Sequence, residues 1–327
     1  MQDAQNWREL LGRIIKDPQE KRRIANALGV STVTLGRWVS GESNPRRQNV
    51  RHLLHAIPEY RKQFLDVMQK TTGRFFTDVV DEEHGEAEIP SNVYEHILNV
   101  HCNMPKALHF NTLCDVILRH AVEQLDPHRL GIEITIMQCM RPPEGQKEVR
   151  SLREIMARGT PPWDRGLGRR TAFLGSESLA GYVVHTGRSL AIPNRNTSHF
   201  FPATWVEGEE SAIAYPIMQS ARVAGCLLCS SSQPDFFQAG FRQGIVQRYA
   251  ELLSIAFAED EFYELDAIEL GRMPLPQIQQ DYLVDFRARV TKAMVKYKVN
   301  VTEAEQIVWR ELEAELLEMQ CAQRESL

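Results

Sequence analysis

The sequence has little of what a membrane or secreted protein needs. Its longest uninterrupted apolar runs, such as that from Val223 to Cys229, reach about seven residues, far fewer than the ~18 of a membrane-spanning helix. The first residues lack the apolar segment of a secretory signal. Six cysteines in 327 residues do not suggest a disulfide framework, and 16 prolines and 19 glycines exclude a collagen-like or low-complexity chain. We therefore expect a soluble cytoplasmic protein that does not interact with a membrane.

Length and charge divide the chain. At roughly 100–200 residues per domain, 327 residues suggest two or three folded units. The net charge is −5, but residues 1–75 hold 14 Lys and Arg against 7 Asp and Glu, whereas the other 252 residues hold 24 against 36. A small basic module joined to a larger acidic body is typical of a protein that binds a polyanion at one end.

Hydrophobic patterning separates the chain into regions: an all-helical module at 1–75, an acidic linker at 76–92, a region of helices and strands at 93–265 and a helical hairpin at 277–321. In the third region, Ile132, Ile134 and Ile136 alternate with polar residues, as in a half-buried strand. Residues 223–229 are apolar on both faces, which indicates a central strand of a sheet covered on both sides.

Two apolar stripes at helical spacing predict the C-terminal hairpin. They consist of Leu283, Phe286, Val290, Met294 and Tyr297, and of Ala304, Val308, Leu312, Leu316 and Met319. Thr302, with Glu305 three residues later, predicts a capping box at the start of the second helix. Two helices are too few to enclose a core, so we expect the hairpin to pack on the preceding domain or on a second subunit.

The N-terminal module carries the pattern of two short helices joined by a turn. Asp17 and Pro18 favour a helix start, Gly29 a tight turn, and Ser31 the start of a second helix that Gly41 ends. Apolar residues of both helices would share one core: Ile24, Leu28, Val30, Leu35 and Trp38. A pair of this kind can place its second helix in the major groove of DNA, which is about 12 Å wide.

The residues that carry a family resemblance are Ile24, Ala25, Gly29, Val30, Ser31, Leu35, Trp38, Gly41 and Pro45. This set resembles, without gaps, the helix-turn-helix of XRE/Cro-type (phage-repressor-like) DNA-binding domains. The resemblance implies that the start of the second helix and the position one turn later read base edges, here Ser31, Thr32, Val33, Thr34 and Arg37. It also implies that Lys21, Arg46 and Arg47 contact phosphates.

Each of these roles has a chemical basis. Arg37 can form a bidentate pair with O6 and N7 of guanine, and Thr32 and Val33 can offer methyl groups to a thymine methyl. Arg46 and Arg47 would add positive potential at phosphates near a helix N-terminus.

The central region predicts an α+β fold with an antiparallel sheet. Its pattern indicates a helix at about 107–125, strands around 130–140, 149–158, 213–219 and 222–230, and a long helix from 239. The spacing of Gly181, Gly187, Pro193, Pro216 and Gly225 within apolar strand-like segments resembles the GAF sensory domain. That resemblance implies a sensor fold whose ligand differs from member to member.

The same resemblance places a candidate ligand pocket. It implies that His199, Phe200, Phe201, Trp205 and Tyr215 surround it, where they would suit a planar or anionic ligand or serve as ordinary packing. The motifs of cyclic-nucleotide and bilin binding are absent, so the ligand and any cofactor stay unassigned. Cys226 and Cys229 resemble a redox or metal pair, but residues three apart on a strand point to opposite faces, which favours core residues.

We predict a DNA-binding transcriptional regulator whose GAF domain senses a signal and which acts as a homodimer, since a second reading helix increases affinity and specificity. Two alternatives stay open. In one, the DNA-binding protein carries a GAF scaffold that binds protein partners and no ligand. In the other, the chain is a GAF-fold thiol reductase, although no catalytic constellation or metal site is evident. The expected partners are double-stranded DNA, a small molecule and a second copy of the chain.

Overall fold

The computed structural model describes the backbone of residues 6–45, 47–57, 60, 63–64, 67, 88–163, 173–196, 205 and 208–325. The chain divides into two compact units, Met1–Glu86 and Ala87–Leu327, each of which has its own core.

The described part of the N-terminal unit is helical, with α1 at Trp7–Ile14, α2 at Pro18–Ala27, α3 at Thr32–Ser40 and α4 at Arg47–Ala56. The predicted helix signals are confirmed. The Asp17 side chain accepts from the Gln19 N–H, and the Ser31 side chain accepts from the Thr34 N–H. Gly41 ends α3 at φ +84°, a left-handed conformation that glycine adopts without a steric penalty.

The predicted helix-pair core is also confirmed. Ile24, Leu28, Leu35 and Trp38 are buried in one cluster, and Val30 packs against it. Arg8 of α1 donates from Nη1 to the Trp38 carbonyl at 2.5 Å, so α1 is joined to the end of α3 by a hydrogen bond as well as by packing.

The second unit is built on one antiparallel sheet in the order β3-β2-β1-β6-β5-β4. Its strands are β1 at Ile132–Cys139, β2 at Leu152–Gly159, β3 at Phe173–Leu174, β4 at Leu190–Ile192, β5 at Ser211–Gln219 and β6 at Arg222–Ser231. β5 and β6 meet in a two-residue turn at Ser220 and Ala221, whose positive φ angles of 51° and 64° suit the sheet twist. The predicted antiparallel sheet is therefore confirmed.

Helices cover both faces of this sheet. They are α5 at Ser91–Asn103, α6 at Lys106–Leu125, α7 at Leu179–Thr186 and α8 at Gly240–Leu253, with 3₁₀ turns at Phe236–Gln238, Ser254–Ala256, Glu259–Glu261 and Leu265–Ala267. Helices α5, α6 and α8 pack on the face that carries Ile134, Ile136 and Leu227. Helix α7 packs on the opposite face, against Met137, Ala212 and Cys226. The central strand β6 is thus covered on both sides, as its continuous apolar run predicts.

Gly225 allows the close approach of the two central strands. A Cβ at this position would lie 1.9 Å from the Met137 carbonyl oxygen, so no other residue fits without moving β1. The end of the predicted linker also belongs to this unit, since Ile89 is buried in its core and α5 begins at Ser91.

The C-terminal helices are α9 at Pro276–Leu283, α10 at Phe286–Tyr297 and α11 at Val301–Glu325. Most of the two predicted stripes meet in a core that also contains Met140, Phe173 and Met273. The expectation fails at Tyr297, which is 42% exposed at the end of α10, and Leu283 belongs to the separate helix α9. The hairpin therefore packs on the sheet domain of its own chain. The predicted cap at Thr302 is wrong: α11 begins at Val301, because the Asn300 side chain accepts from the Glu303 N–H at 3.0 Å and already caps the helix.

Candidate functional site

A cavity of about 1060 Å³ lies on the sheet face that α7 covers. Its floor is formed by strands β1, β5 and β6, through residues that include Thr135, Met137, Ala212, Leu228 and Ser230. The floor residues are spaced two apart along β1 and β6 because each strand presents every second residue to one face, and the floor is a mixture of polar and apolar side chains. A cavity of this size is large enough for a small organic molecule.

The C-terminal segment forms one wall of the cavity. Residues 272–277, 279 and 280 line it, together with Gln320 of α11. Gln279 fixes this wall: its Nε2 donates to the Phe173 and Pro274 carbonyls at 2.8 Å each, and its Oε1 accepts from the Phe173 N–H at 2.9 Å. Because Gln279 is only 1% exposed, these bonds are shielded from water.

Carboxylates are prominent in the described lining. The lining includes the acidic residues Glu133, Glu154, Glu177 and Glu209 and the basic residue Arg272. Glu209 is buried, and its Oε1 accepts from the Ser230 hydroxyl at 2.5 Å. Glu177 holds two chain segments together, since its oxygens accept from the Gly175 and Met273 N–H groups at 2.9 Å each.

The predicted pocket residues separate in the structure. Trp205 lines the cavity, whereas Tyr215 packs against the core on the opposite face of the sheet. Ile213 and Ile217, two residues before and after Tyr215, lie on that same face. The two-residue period of a strand therefore predicts from sequence that Tyr215 faces away from the cavity. His199, Phe200 and Phe201 lie outside the described residues. Trp163, which no sequence pattern singles out, also lines the cavity and is 1% exposed.

The cysteines are placed as core residues. Cys226 and Cys229 lie on opposite faces of β6, as the strand argument predicts. Burial raises the pKa of the Cys114 thiol to about 12, and burial also raises the pKa values of Cys139, Cys226 and Cys229 far above the ordinary range. Their thiolates are therefore scarce at neutral pH, and nucleophilic chemistry at these four positions is disfavoured.

Helix α3 presents an outward face that its core contacts leave uncovered. Leu35 and Trp38 point into the core, while Val33 is 62% exposed and the Arg37 side chain 62% exposed. Arg37 Nε lies 3.9 Å from Glu42 Oε2, and an exposed ion pair of this length is weak. The Ser31 hydroxyl is engaged, since Oγ caps the helix and lies 2.9 Å from Thr34 Oγ1.

Of the three basic residues expected to contact phosphates, the structure describes the side chain of Lys21 alone. A Cβ built on Gly36 would lie 3.8 Å from Lys21 Nζ, so the Lys21 ammonium lies beside the middle of α3. Arg46 lies outside the described residues, and for Arg47 the backbone alone is described, at the start of α4.

Among the described residues, no helix is long and apolar enough to cross a membrane. Over the same residues, no group of three or more His, Cys, Asp or Glu side chains is arranged to hold a metal ion.

Residues 109–257 match the GAF domain family and form a GAF domain. The match does not extend to the N-terminal unit. The resemblance of that unit to XRE/Cro-type domains is based only on the residue pattern between Ile24 and Pro45. No curated protein matches the chain.

Several solved structures resemble it over about half of its length. The GAF domain of an Acinetobacter phosphoenolpyruvate-protein phosphotransferase is 17% identical with a TM-score of 0.35, over 51% of this chain and 90% of that one. The GAF domain of A. aeolicus nlh2 is 19% identical with a TM-score of 0.34, over 51% and 94%. The free methionine-R-sulfoxide reductase of Neisseria meningitidis, in complex with its substrate, is 13% identical with a TM-score of 0.29, over 48% and 92%.

Proposed function

We propose that the protein is a transcriptional regulator that binds double-stranded DNA through its N-terminal unit and senses a small molecule through its GAF domain. The observation that carries this proposal is the outward face of α3. A short helix is anchored on one side by Leu35 and Trp38 and presents Val33 and Arg37 to solvent on the other.

The dimensions and chemistry of α3 suit a base-reading helix. An α-helix is about 10–12 Å across with its side chains and so enters the ~12 Å wide major groove, and the nine residues of α3 give it a length of about 13 Å. Arg37 lies one turn after the helix start, where a guanidinium can pair with guanine, and the exposed Val33 methyls can contact thymine. Thr32 is also accessible, since it is only half-buried.

Electrostatics supports the same assignment. The basic excess within residues 1–75 would attract the phosphate backbone, and Lys21, Arg46 and Arg47 are the side chains that we assign to phosphates. The acidic remainder of the chain would stay away from DNA. We further propose a homodimer, because two reading helices can occupy half-sites about 34 Å apart.

The cavity supports the sensory part of the proposal. It lies on the GAF sheet, and the C-terminal segment that closes one wall continues into α10 and α11. A molecule in the cavity would contact both the sheet floor and this segment, so occupancy can bias the position of the C-terminal helices.

The placement of the cysteines disfavours the reductase alternative, because the four buried thiols described above lack the raised thiolate fraction that thiol chemistry uses. A scaffold that binds protein partners is consistent with the same fold, and ligand-dependent thermal stability distinguishes it from a sensor.

The test is selection of genomic DNA fragments by the full-length protein at ~150 mM salt, a concentration that suppresses contacts to phosphates alone. We expect an inverted repeat that Arg37→Ala no longer selects. Arg13→Ala is the matched control, since Arg13 is an exposed arginine of α1 that pairs with Glu9. If Arg37→Ala selects the same sequences as the wild type, α3 does not read bases in the proposed way. If the protein binds DNA without any sequence motif, the N-terminal unit contacts only the phosphate backbone through its basic residues.

A further inference from the structure

Two histidine pairs join α5 to α6. His96 Nδ1 lies 3.1 Å from His120 Nε2, and His101 Nδ1 lies 3.0 Å from His109 Nε2. In both pairs an Nδ1 of α5 faces an Nε2 of α6. The rings meet edge to face, at 90° in the first pair and 67° in the second. The two helices run antiparallel, so the pairs lie at two levels of the same helix junction.

The spacing of the nitrogens suits a shared metal ion. Two imidazole nitrogens that bind one ion at ~2.0–2.1 Å in tetrahedral geometry are roughly 3.3 Å apart. The observed separations therefore need to widen by only a few tenths of an ångström. In the metal-free pair one ring donates an N–H to the other. On metal binding that ring adopts its other tautomer, so both facing nitrogens offer lone pairs and no net proton is released.

Glu123 supplies a second feature of a metal site at the first pair. Its Oε2 lies 3.8 Å from His120 Nδ1, the ring nitrogen that faces away from His96. When Nε2 binds a metal, Nδ1 carries the proton. The separation of 3.8 Å is longer than a hydrogen bond, but a rotation of the exposed Glu123 side chain would close it, and a carboxylate that accepts from this N–H orients the ring and raises its basicity.

Solvent can reach both pairs. His96 and His101 are exposed, and His109 and His120 are half-buried. Since no third protein ligand is arranged around either pair within the part of the chain described here, water molecules would complete the coordination. Imidazole ligands with open positions suit zinc, copper and nickel and do not suit magnesium or calcium.

We propose that the pairs His96–His120 and His101–His109 are two binding sites for divalent transition-metal ions of the zinc, copper and nickel class. Each ion bridges α5 and α6. Helix α6 is anchored in the sheet core by Leu113, Ile117, Ala121 and four further buried residues, whereas α5 buries Val93 and Ile97 and packs Tyr94 and Val100 against the core only in part. Metal binding therefore holds the first helix of the second unit against a firmly packed neighbour.

The test is calorimetric titration of the full-length protein with Zn²⁺ and with Ni²⁺, with Mg²⁺ as the hard-cation control. A Cys102→Ser background removes an exposed thiol that neighbours His101 in sequence. We expect His120→Asn and His109→Asn each to lose one bound ion relative to their background, and the double variant to lose two. His52→Ala, which removes a histidine from α4, should lose none.

Thermal unfolding gives an independent readout. Zn²⁺ should raise the midpoint temperature of unfolding of the Cys102→Ser protein, because a ligand that binds only the folded state stabilises that state. The increase should be smaller in the double histidine variant. Circular dichroism of the metal-free variants checks that they fold. Unchanged ion counts in the folded histidine variants, or no saturable Zn²⁺ or Ni²⁺ binding, would mean that the pairs are hydrogen-bonded only.

Discussion

The Ser151 hydroxyl donates to Glu313 Oε1 at 2.5 Å, and it joins residues that are 162 positions apart in the chain. Both side chains are buried, with 0% of Ser151 and 6% of Glu313 exposed. Ser151 directly precedes β2 of the sheet domain, and Glu313 lies in the middle of α11. The bond is therefore a polar contact within the interface that holds the C-terminal hairpin on the GAF domain.

The first prediction concerns the charge of Glu313. Burial raises the pKa of this carboxyl, against smaller opposing effects of the Ser151 hydrogen bond and of Arg150. A raised folded-state pKa means that the native state binds the proton more tightly than the unfolded state. The free energy of unfolding therefore falls as pH rises from the ordinary glutamate range through the raised pKa.

Glu313→Gln keeps an oxygen that can accept from Ser151 and removes the charge. We expect the variant to be more stable than the wild type at pH 7, with the difference shrinking towards pH 4. Chemical denaturation across this pH range measures it. Glu311→Gln, an exposed change on the same helix, is the control. A loss of stability at pH 7 would show that the ionised carboxylate is favourable in place.

The second prediction concerns the wall of the cavity. Gln279→Ala leaves the N–H and carbonyl of Phe173 and the carbonyl of Pro274 without their buried partner. We expect a loss of at least roughly 3 kcal/mol in the free energy of unfolding, since three buried groups lose a partner and each costs about 1–3 kcal/mol. Gln280→Ala removes an exposed amide from the same helix and should change little. Equal effects of the two variants would contradict the assigned role of Gln279.

The third prediction concerns thiol reactivity. Among the described cysteine side chains, Cys102 is exposed and Cys114, Cys139, Cys226 and Cys229 are buried. In a Cys321→Ser background, a colorimetric thiol reagent should label one cysteine rapidly in the native protein and all five after unfolding. Cys102→Ser should abolish the rapid phase. Rapid labelling of a second thiol in native protein would reopen the reductase alternative.

Much of the fold follows from local pattern. Helix starts at Asp17 and Ser31 and the end at Gly41 were predictable because caps depend on a few neighbouring residues. The cap of α11 shows the limit of this approach: Asn300 and Thr302 both qualify, and the choice depends on where the preceding turn positions the chain.

The candidate site was less predictable. Trp205 was expected at the cavity, while Trp163 was not, since nothing in its neighbourhood distinguishes a cavity wall from ordinary core. Tyr215 was expected at the cavity and lies on the opposite face of the sheet. Its spacing of two residues from Ile213 and from Ile217 on the same strand already indicates that the three side chains share one face. Fold resemblance indicates which loops surround a pocket, but the face on which a side chain lies depends on strand register.

The sequence by itself determined the helical N-terminal unit, the antiparallel GAF sheet and the amphipathic hairpin, because periodicity and capping act over a few residues. Tertiary structure alone decided that the hairpin closes the GAF cavity of its own chain. It also decided that Gln279 meets Phe173 and that His96 meets His120. These contacts join residues that are 106 and 24 positions apart, and their partners are chosen by how helices and strands pack, which no local pattern encodes.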